Sequence, residues 1–224
     1  MPFGAPPASF RATPKLRELP AGSRLWRVHD RTYKATSFNP EQADANFYGG
    51  RFDGTDRDPY PYFYAGLEAA TALLETLLRD VPFNDRGKRV IRRRDVAGRR
   101  ASVVETTRVL TLVDLCSGEA LAAVAQDTWL VQTVSAEYHA TRRWASWIRK
   151  QATAAHGLIW PSKREGSSPA LVLFGDRCPD GCLATDPAAG RDLDDLEGAI
   201  WINHHLGPYE AMIARPPRKR RNPT

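Results

Sequence analysis

Apolar residues recur along this chain with two different periods, and each period predicts an element. In SRLWRVHD (23–30) they alternate, so Arg24, Trp26 and Val28 share one face of a strand while Leu25, Arg27 and His29 share the other. YFYA (62–65) is short and aromatic, which suits a second strand. GLEAATALLETLLRDV (66–81) changes to a helical period, with Leu67, Ala70, Leu74, Leu77 and Leu78 as the apolar stripe and Pro82 closing the helix. SVVETT (102–107) and VLTLVDL (109–115) return to the β pattern. SGEALAAVAQ (117–126) is helical with Ser117 as its N-cap, and 135–154 is a longer amphipathic helix whose Tyr138, Trp144, Ala145 and Ile148 fall on one side. GLIWPS (157–162) and PALVLF (169–174) flank the polar turn KREGSS and predict a hairpin. Beyond Phe174 the chain is loop-rich, with a short helical signal near 193–202. Strands and helices do not alternate regularly, so the expected class is α+β.

The punctuation between these blocks sets the organisation. Residues 1–22, rich in Pro, Ala and Gly, predict an irregular N-terminal arm. Residues 46–61 hold three Gly, two Pro and three Asp and predict a turn-rich loop. One domain is expected over 23–175, with 176–224 as a C-terminal extension packed on it and ending in a basic tail. A length of 224 residues with 42% hydrophobic content supports one substantial core.

Composition then narrows the partners. No apolar run reaches the ~18 residues that span a bilayer, and the start MPFGAPPASFRATPKL has no apolar leader, so a cytoplasmic protein is expected. Cys178 and Cys182 in CPDGC have no matching Cys/His pair, which argues against zinc, and Cys116 fits a small buried residue after a strand. The net charge of +6 suggests anionic partners. Part of it is local, in 86–100 and 215–221, which fit a solvated loop and a solvated tail; the competing reading is a nucleic-acid-binding module, but the aromatic interleaving and known motifs of such modules are missing. GxGxxG, P-loop, HExxH and GxSxG patterns are absent, and the adjacent His204 and His205 make a poor metal pair, so no metal site is expected.

Three residues stand out chemically. Arg27 lies within a short β-like run, where a guanidinium needs either a structural carboxylate or an anionic ligand. Arg51 follows two glycines in YGGRF, which fits an ordinary turn with an exposed arginine or a close backbone approach to a ligand. Glu75 borders the apolar stripe of its helix, either paired with Arg79 at i+4 or looking into a cleft beside the core.

In order, LWRVH, YGGRF, YFYAGLEAATALLETL and GLIWPSKREGSSPALVLF resemble the RES domain family, named for an Arg, a Glu and a Ser that map here onto Arg27, Glu75 and Ser162. The resemblance covers residues 23–175. It implies an ADP-ribosyltransferase-like mixed sheet with flanking helices, and the toxin half of a type II toxin–antitoxin pair restrained by an Xre-type antitoxin. The implied activity is NAD⁺ degradation by hydrolysis or phosphorolysis, with protein ADP-ribosylation as the alternative. NAD⁺ is then a substrate, no cofactor is required, and inorganic phosphate is a possible co-substrate. Within that frame Arg27 anchors the diphosphate or the ribose side, Arg51 is a second phosphate ligand, Tyr64 stacks on the nicotinamide, Glu75 stabilises charge at the ribose, and Ser162 holds substrate or Glu75. The arm, the tail, and Trp26, His29 and Trp160 depart from the family pattern and bear on substrate preference and antitoxin contact.

Overall fold

The β-patterned blocks pair with one another into a single mixed sheet. In the computed structural model, which describes residues 5–43 and 49–214, the strands are β1 (Leu16–Leu19), β2 (Arg24–Asp30), β3 (Tyr62–Gly66), β4 (Arg89–Ile91), β5 (Arg99–Thr106), β6 (Leu110–Asp114), β7 (Gly157–Pro161), β8 (Pro169–Phe174), β9 (Leu183–Asp192) and β10 (Ala211–Ile213). The helices are α1 (Ala69–Leu77), α2 (Gly118–Ala122), α3 (Trp129–Gln132), α4 (Tyr138–Gln151) and α5 (Leu196–Leu206). Eight strands form one sheet in the order β1-β6-β7-β8-β3-β2-β5-β9, and β4 and β10 form a separate parallel pair. This is the expected α+β class: a mixed sheet with flanking helices.

Alternation along β7 and β8 assigns the two faces. Leu158, Trp160, Ala170, Val172 and Phe174 pack with Trp144, Ala145 and Ile148 of α4. Their neighbours Ile159, Leu171 and Leu173 face a second core with Leu25, Phe63 and Leu112. A third core joins α1 to α5 and to the β4–β10 pair through Leu73, Leu74, Leu77, Ile202 and Ile213.

The feature that matters for function is a break in the ladder. β2 pairs along its whole length with β5, and β3 along its whole length with β8. Between β2 and β3 the only pair is Trp26 with Gly66. Beyond it, Arg27–Asp30 and Tyr62–Ala65 carry no rungs to each other, and the sheet opens.

Several expectations need correction. The N-terminal arm is not irregular throughout: Leu16–Leu19 pairs antiparallel with β6 as an edge strand. With four residues and only Leu19 buried, it has no periodicity to read. The loop-rich region after Phe174 contains β9, a ten-residue edge strand on β5 with a register shift opposite Ala101–Val103. Its sequence LATDPAAGRD lacks alternation, and an edge strand tolerates Pro187 because one side of its backbone is unpaired. The helix expected over 66–81 spans only 69–77, because Gly66 is still in β3, so close to α1 that a Cβ there would lie 2.8 Å from Ala72 N. Its buried side includes Ala69, Thr71, Ala72 and Leu73 as well as Leu74 and Leu77, since sheet and α5 cover it from two directions. The last helix begins later than expected, at Leu196, where the Asp195 side chain accepts from Gly198 N–H. Ser117 caps α2 as expected, accepting from Ala120 N–H at 3.1 Å. Among the described residues no helix is long and apolar enough to cross a membrane. The basic run 215–221 lies outside them; in 86–100, Arg92 and Arg100 are paired with Asp95 and Asp192.

Candidate functional site

Arg27 sits where the ladder stops. One terminal nitrogen of its guanidinium donates to the carbonyls of Ala35 at 2.9 Å and Ser37 at 2.5 Å, and the group lies 4.4 Å from the centre of the Phe63 ring. No described carboxylate lies within ion-pair distance of it, so the structural-carboxylate alternative is not what is found. Burial pushes its pKa down to about 10, which still leaves it cationic at neutral pH. A charge half-buried against an aromatic ring and two dipoles, with no counter-ion, is poised for an anion.

The loop carrying Arg51 is not an exposed turn. Arg51 is 4% exposed, and Phe52 and Tyr60 from the same loop belong to the α4-side core. The guanidinium donates to the carbonyls of Leu130 and Thr133, at 3.2 and 3.1 Å, and to the Tyr138 hydroxyl at 3.3 Å. Burial lowers its pKa, opposed by Tyr138 and Glu75. The preceding glycines serve close packing: a Cβ on Gly50 would lie 2.5 Å from Asp53 Oδ1 and 2.8 Å from the Tyr64 hydroxyl.

Glu75 looks into the cleft. It makes no ion pair with Arg79, whose guanidinium donates to Gly49 O instead. The Ser162 hydroxyl donates to Glu75 Oε1 at 2.8 Å, and Lys163 N–H approaches the same oxygen at 3.3 Å. Ser162 is 1% exposed and follows β7, so the β7–β8 hairpin delivers it to α1 from across the sheet.

Arg27, Arg51, Tyr64 and Glu75 all line one cavity of about 210 Å³, with Trp26, Val28 and Trp160 also in its wall. A second cavity of about 330 Å³ shares Arg27, Val28 and Tyr64 with it and continues between the parted strands past Phe38 and Tyr62. A third, of about 290 Å³, shares Arg51, Glu75, Arg79 and Tyr138 and opens toward the β7–β8 turn. The five residues singled out from sequence therefore converge: four line the same cavity and Ser162 bonds to Glu75 behind it. Tyr64 is held edge-on to Tyr62 and Trp160, and its hydroxyl accepts from Phe52 N–H at 2.8 Å. That hydroxyl is therefore occupied, and the ring is the part left to meet a ligand.

Asp53, Arg142 and Thr141 escaped the sequence reading. Asp53 is buried, accepts from Gly50 N–H at 2.6 Å and lies by the Tyr62 and Tyr64 hydroxyls; burial raises its pKa. Arg142 donates to Gly50 O at 3.2 Å and Thr141 to Arg51 O at 2.7 Å, so α4 fixes the arginine loop from beneath. An arginine on the core-facing side of an amphipathic helix was the available signal, since such a residue needs acceptors from another segment.

The fold and cavity define an α+β protein whose parted sheet borders a cavity lined by the half-buried Arg27, the buried Arg51 and the carboxylate of Glu75. The chain belongs to the RES domain family: the model of the RES domain matches residues 24–195. That match continues past residue 175 through β9. No curated protein matches the chain. In fold it is similar to a chain in the crystal structure of the M. tuberculosis MbcT-MbcA toxin-antitoxin complex, with a TM-score of 0.53, 16% identity, and coverage of 78% of this chain and 86% of that one.

Proposed function

We propose that this protein is the toxin of a toxin–antitoxin pair and degrades NAD⁺ by breaking the bond between nicotinamide and ribose C1′. The observation that carries the reading is the convergence of Arg27, Arg51, Tyr64 and Glu75 on one cavity, with Ser162 bonded to Glu75. Family membership and the likeness to a chain from a toxin-antitoxin complex support it.

The chemistry asks for a cation for the diphosphate, a flat surface for the nicotinamide and a negative charge by the ribose. Arg27, charged and without a carboxylate, takes diphosphate oxygens; Arg51 serves a second phosphate. The Tyr64 ring faces the cationic nicotinamide. Glu75 binds ribose hydroxyls and stabilises the oxocarbenium-like charge that develops as the C1′–N bond breaks and its electron pair leaves with nicotinamide. Ser162 directs one Glu75 oxygen and leaves the other for substrate. It is a positioning residue, because its hydroxyl proton is committed to the carboxylate that the reaction needs at the ribose. Water attacking C1′ yields ADP-ribose and a proton, and phosphate yields ADP-ribose 1″-phosphate. An Xre-type antitoxin is the proposed partner, and the cytoplasm, where NAD⁺ is available, the proposed location.

Purified protein free of antitoxin, incubated with NAD⁺ with and without phosphate, tests the reading by product identity. Free ADP-ribose marks hydrolysis, the 1″-phosphate marks phosphorolysis, and label on protein marks ADP-ribosyl transfer instead. NAD⁺ left intact by folded protein overturns it. Salt-sensitive nucleic-acid binding that is indifferent to Glu75→Ala, in a protein inert toward NAD⁺, is the outcome expected of a binding module.

A further inference from the structure

Two buried polar side chains on the sheet take no part in the chemistry above. In the β2–β5 ladder Arg27 stands opposite Ser102 and His29 opposite Arg100, so His29 and Ser102 are diagonal neighbours on one face. Both are buried, and His29 Nε2 lies 2.9 Å from Ser102 Oγ. On the far side of the ring, Nδ1 lies 2.8 Å from the Asp30 carbonyl oxygen. A carbonyl oxygen only accepts, so Nδ1 carries the proton, and in the neutral ring Nε2 is the acceptor. Burial lowers the His29 pKa, aided by Arg27 and Arg100 and opposed by the carbonyl and carboxylate of Asp30, so the ring is neutral at pH 7. The Ser102 hydroxyl therefore donates to His29. A serine donating to an imidazole whose other nitrogen is fixed by an acceptor is the arrangement that activates a hydroxyl as a nucleophile.

The pair opens on a cavity of about 230 Å³, lined by His29 and Ser102 together with Arg31, Tyr33, Arg100 and Gly190. The edge strand makes the room. Ala101 pairs with Arg191 and Val103 with Asp186, so residues 187–190 of β9 all stand opposite Ser102. Bulges of this kind recur beside active sites, where they re-aim a side chain. Arg100 lies against the bulge: a Cβ on Gly190 would be 2.6 Å from its Nη2. Its Nη1 donates to Asp192 at 2.7 Å, which fixes the guanidinium, and its remaining N–H groups are the donors available to an oxyanion.

We infer that Ser102 and His29 form a second catalytic site, which hydrolyses short-chain carboxylic esters. Ser102 Oγ attacks the acyl carbon as its proton passes to His29 Nε2, and the acyl oxygen becomes an oxyanion beside Arg100. The tetrahedral intermediate expels the alcohol, which takes the proton from Nε2 and leaves an acyl-serine. Water then gives a proton to Nε2 and attacks the same carbon; Ser102 Oγ departs, regains the proton, and the acid is released. The cavity is smaller than the about 300–1,000 Å³ of pockets for larger ligands, which restricts the acyl chain to a few carbons. The site uses neither Glu75 nor NAD⁺, so it stands or falls separately from the proposed toxin reaction.

The test treats the full chain with a fluorophosphonate, which reports a base-activated serine: Oγ bonds to phosphorus and fluoride leaves with the proton. Peptide mass mapping is expected to place the adduct on Ser102, with labelling slowed about 100-fold in His29→Gln. The same chain releases nitrophenolate from p-nitrophenyl acetate faster than from the octanoate, and prior fluorophosphonate labelling or Ser102→Ala abolishes the release. Circular dichroism checks that both variants fold, and if either does not, the position of the adduct on the wild-type chain decides. No adduct on Ser102 in folded wild-type protein, labelling as fast in folded His29→Gln, or nitrophenolate release undiminished in folded Ser102→Ala overturns the inference.

Discussion

Replacing Ser162 by Ala removes one atom from the interior and tests what that atom does. The hydroxyl donates to Glu75 Oε1 at 2.8 Å from a side chain that is 1% exposed, so the alanine fits and water has little access to the space left. A hydrogen bond to a charged acceptor contributes about 1.5–3 kcal/mol. Glu75 is half-buried and keeps the longer bond from Lys163 N–H, so the lower half of that range applies. If the bond serves to aim the carboxylate at the transition state, about 1.5–2.2 kcal/mol appears as an about 13- to 40-fold loss in kcat, with KM for NAD⁺ changed less than threefold. The assay is initial-rate nicotinamide release over a range of NAD⁺ concentrations, beside a thermal melt to confirm folding. Glu75→Gln, which removes the charge itself, loses more than 1,000-fold in the same assay. Should Ser162→Ala instead fall to the level of Glu75→Gln while melting like wild type, Ser162 takes part in bond making and the positioning role is wrong. Wild-type kcat in a folded Ser162→Ala protein refutes the reasoning from the other side.

Arg27→Lys keeps the charge but loses the planar guanidinium, of which one terminal nitrogen bonds the Ala35 and Ser37 carbonyls and the rest is left for phosphate oxygens; KM for NAD⁺ rises about 10- to 100-fold with kcat less affected, and an unchanged KM removes Arg27 from the substrate site. Gly50→Ala drives a Cβ into Asp53 Oδ1 and the Tyr64 hydroxyl, so denaturant unfolding shows a loss of about 1–3 kcal/mol and NAD⁺ binding weakens as the Arg51 loop shifts; wild-type values for both contradict the packing described. His29 is 7% exposed, and burial lowers its pKa, so below its ordinary pKa of about 6.5 the unfolded chain takes up a proton that the native state resists. Stability from this residue is thus fully present above pH 6.5 and declines on acidification, by at most about 1.4 kcal/mol per pH unit; melting curves recorded downward from pH 7 show that slope, and it persists unaltered in His29→Gln only if His29 is not its source.

The sequence announces elements whose burial is one-sided and long enough to show a period. β2, β3, α4 and the β7–β8 hairpin were legible for that reason, and with them four of the five site residues, since Arg27, Tyr64, Glu75 and Ser162 sit on those elements or directly beside them or on α1. α1 was legible as a helix but not in extent, because its two-sided cover blurs the stripe. β1, β4, β9 and β10 were not legible: three are three or four residues long, and β9 is an edge strand interrupted by Pro187 and Gly190. Arg51 shows a different limit. Turn chemistry marked its loop as a loop, yet the burial of that loop depends on acceptors from α3, its flanking residues and α4, contributed some 80 to 90 residues later in the chain.

Why the site lies where it does follows from the parted strands. Within an intact ladder, β2 and β3 would exchange backbone hydrogen bonds, and the Arg27 guanidinium would have to leave the sheet or find a carboxylate. Because pairing stops after Trp26 and Gly66, polar backbone and side chains on both strands face a shared space instead. The carbonyls of Ala35 and Ser37 hold the cation there without cancelling its charge. On the far side the α1 carboxylate is held by a hydroxyl rather than by the nearby Arg79, so it too keeps its charge. Opposite charges lining one cavity with no ion pair between them suit a ligand that carries both signs, and the proposed substrate does so, with an anionic diphosphate at one end and a cationic ring on a ribose at the other.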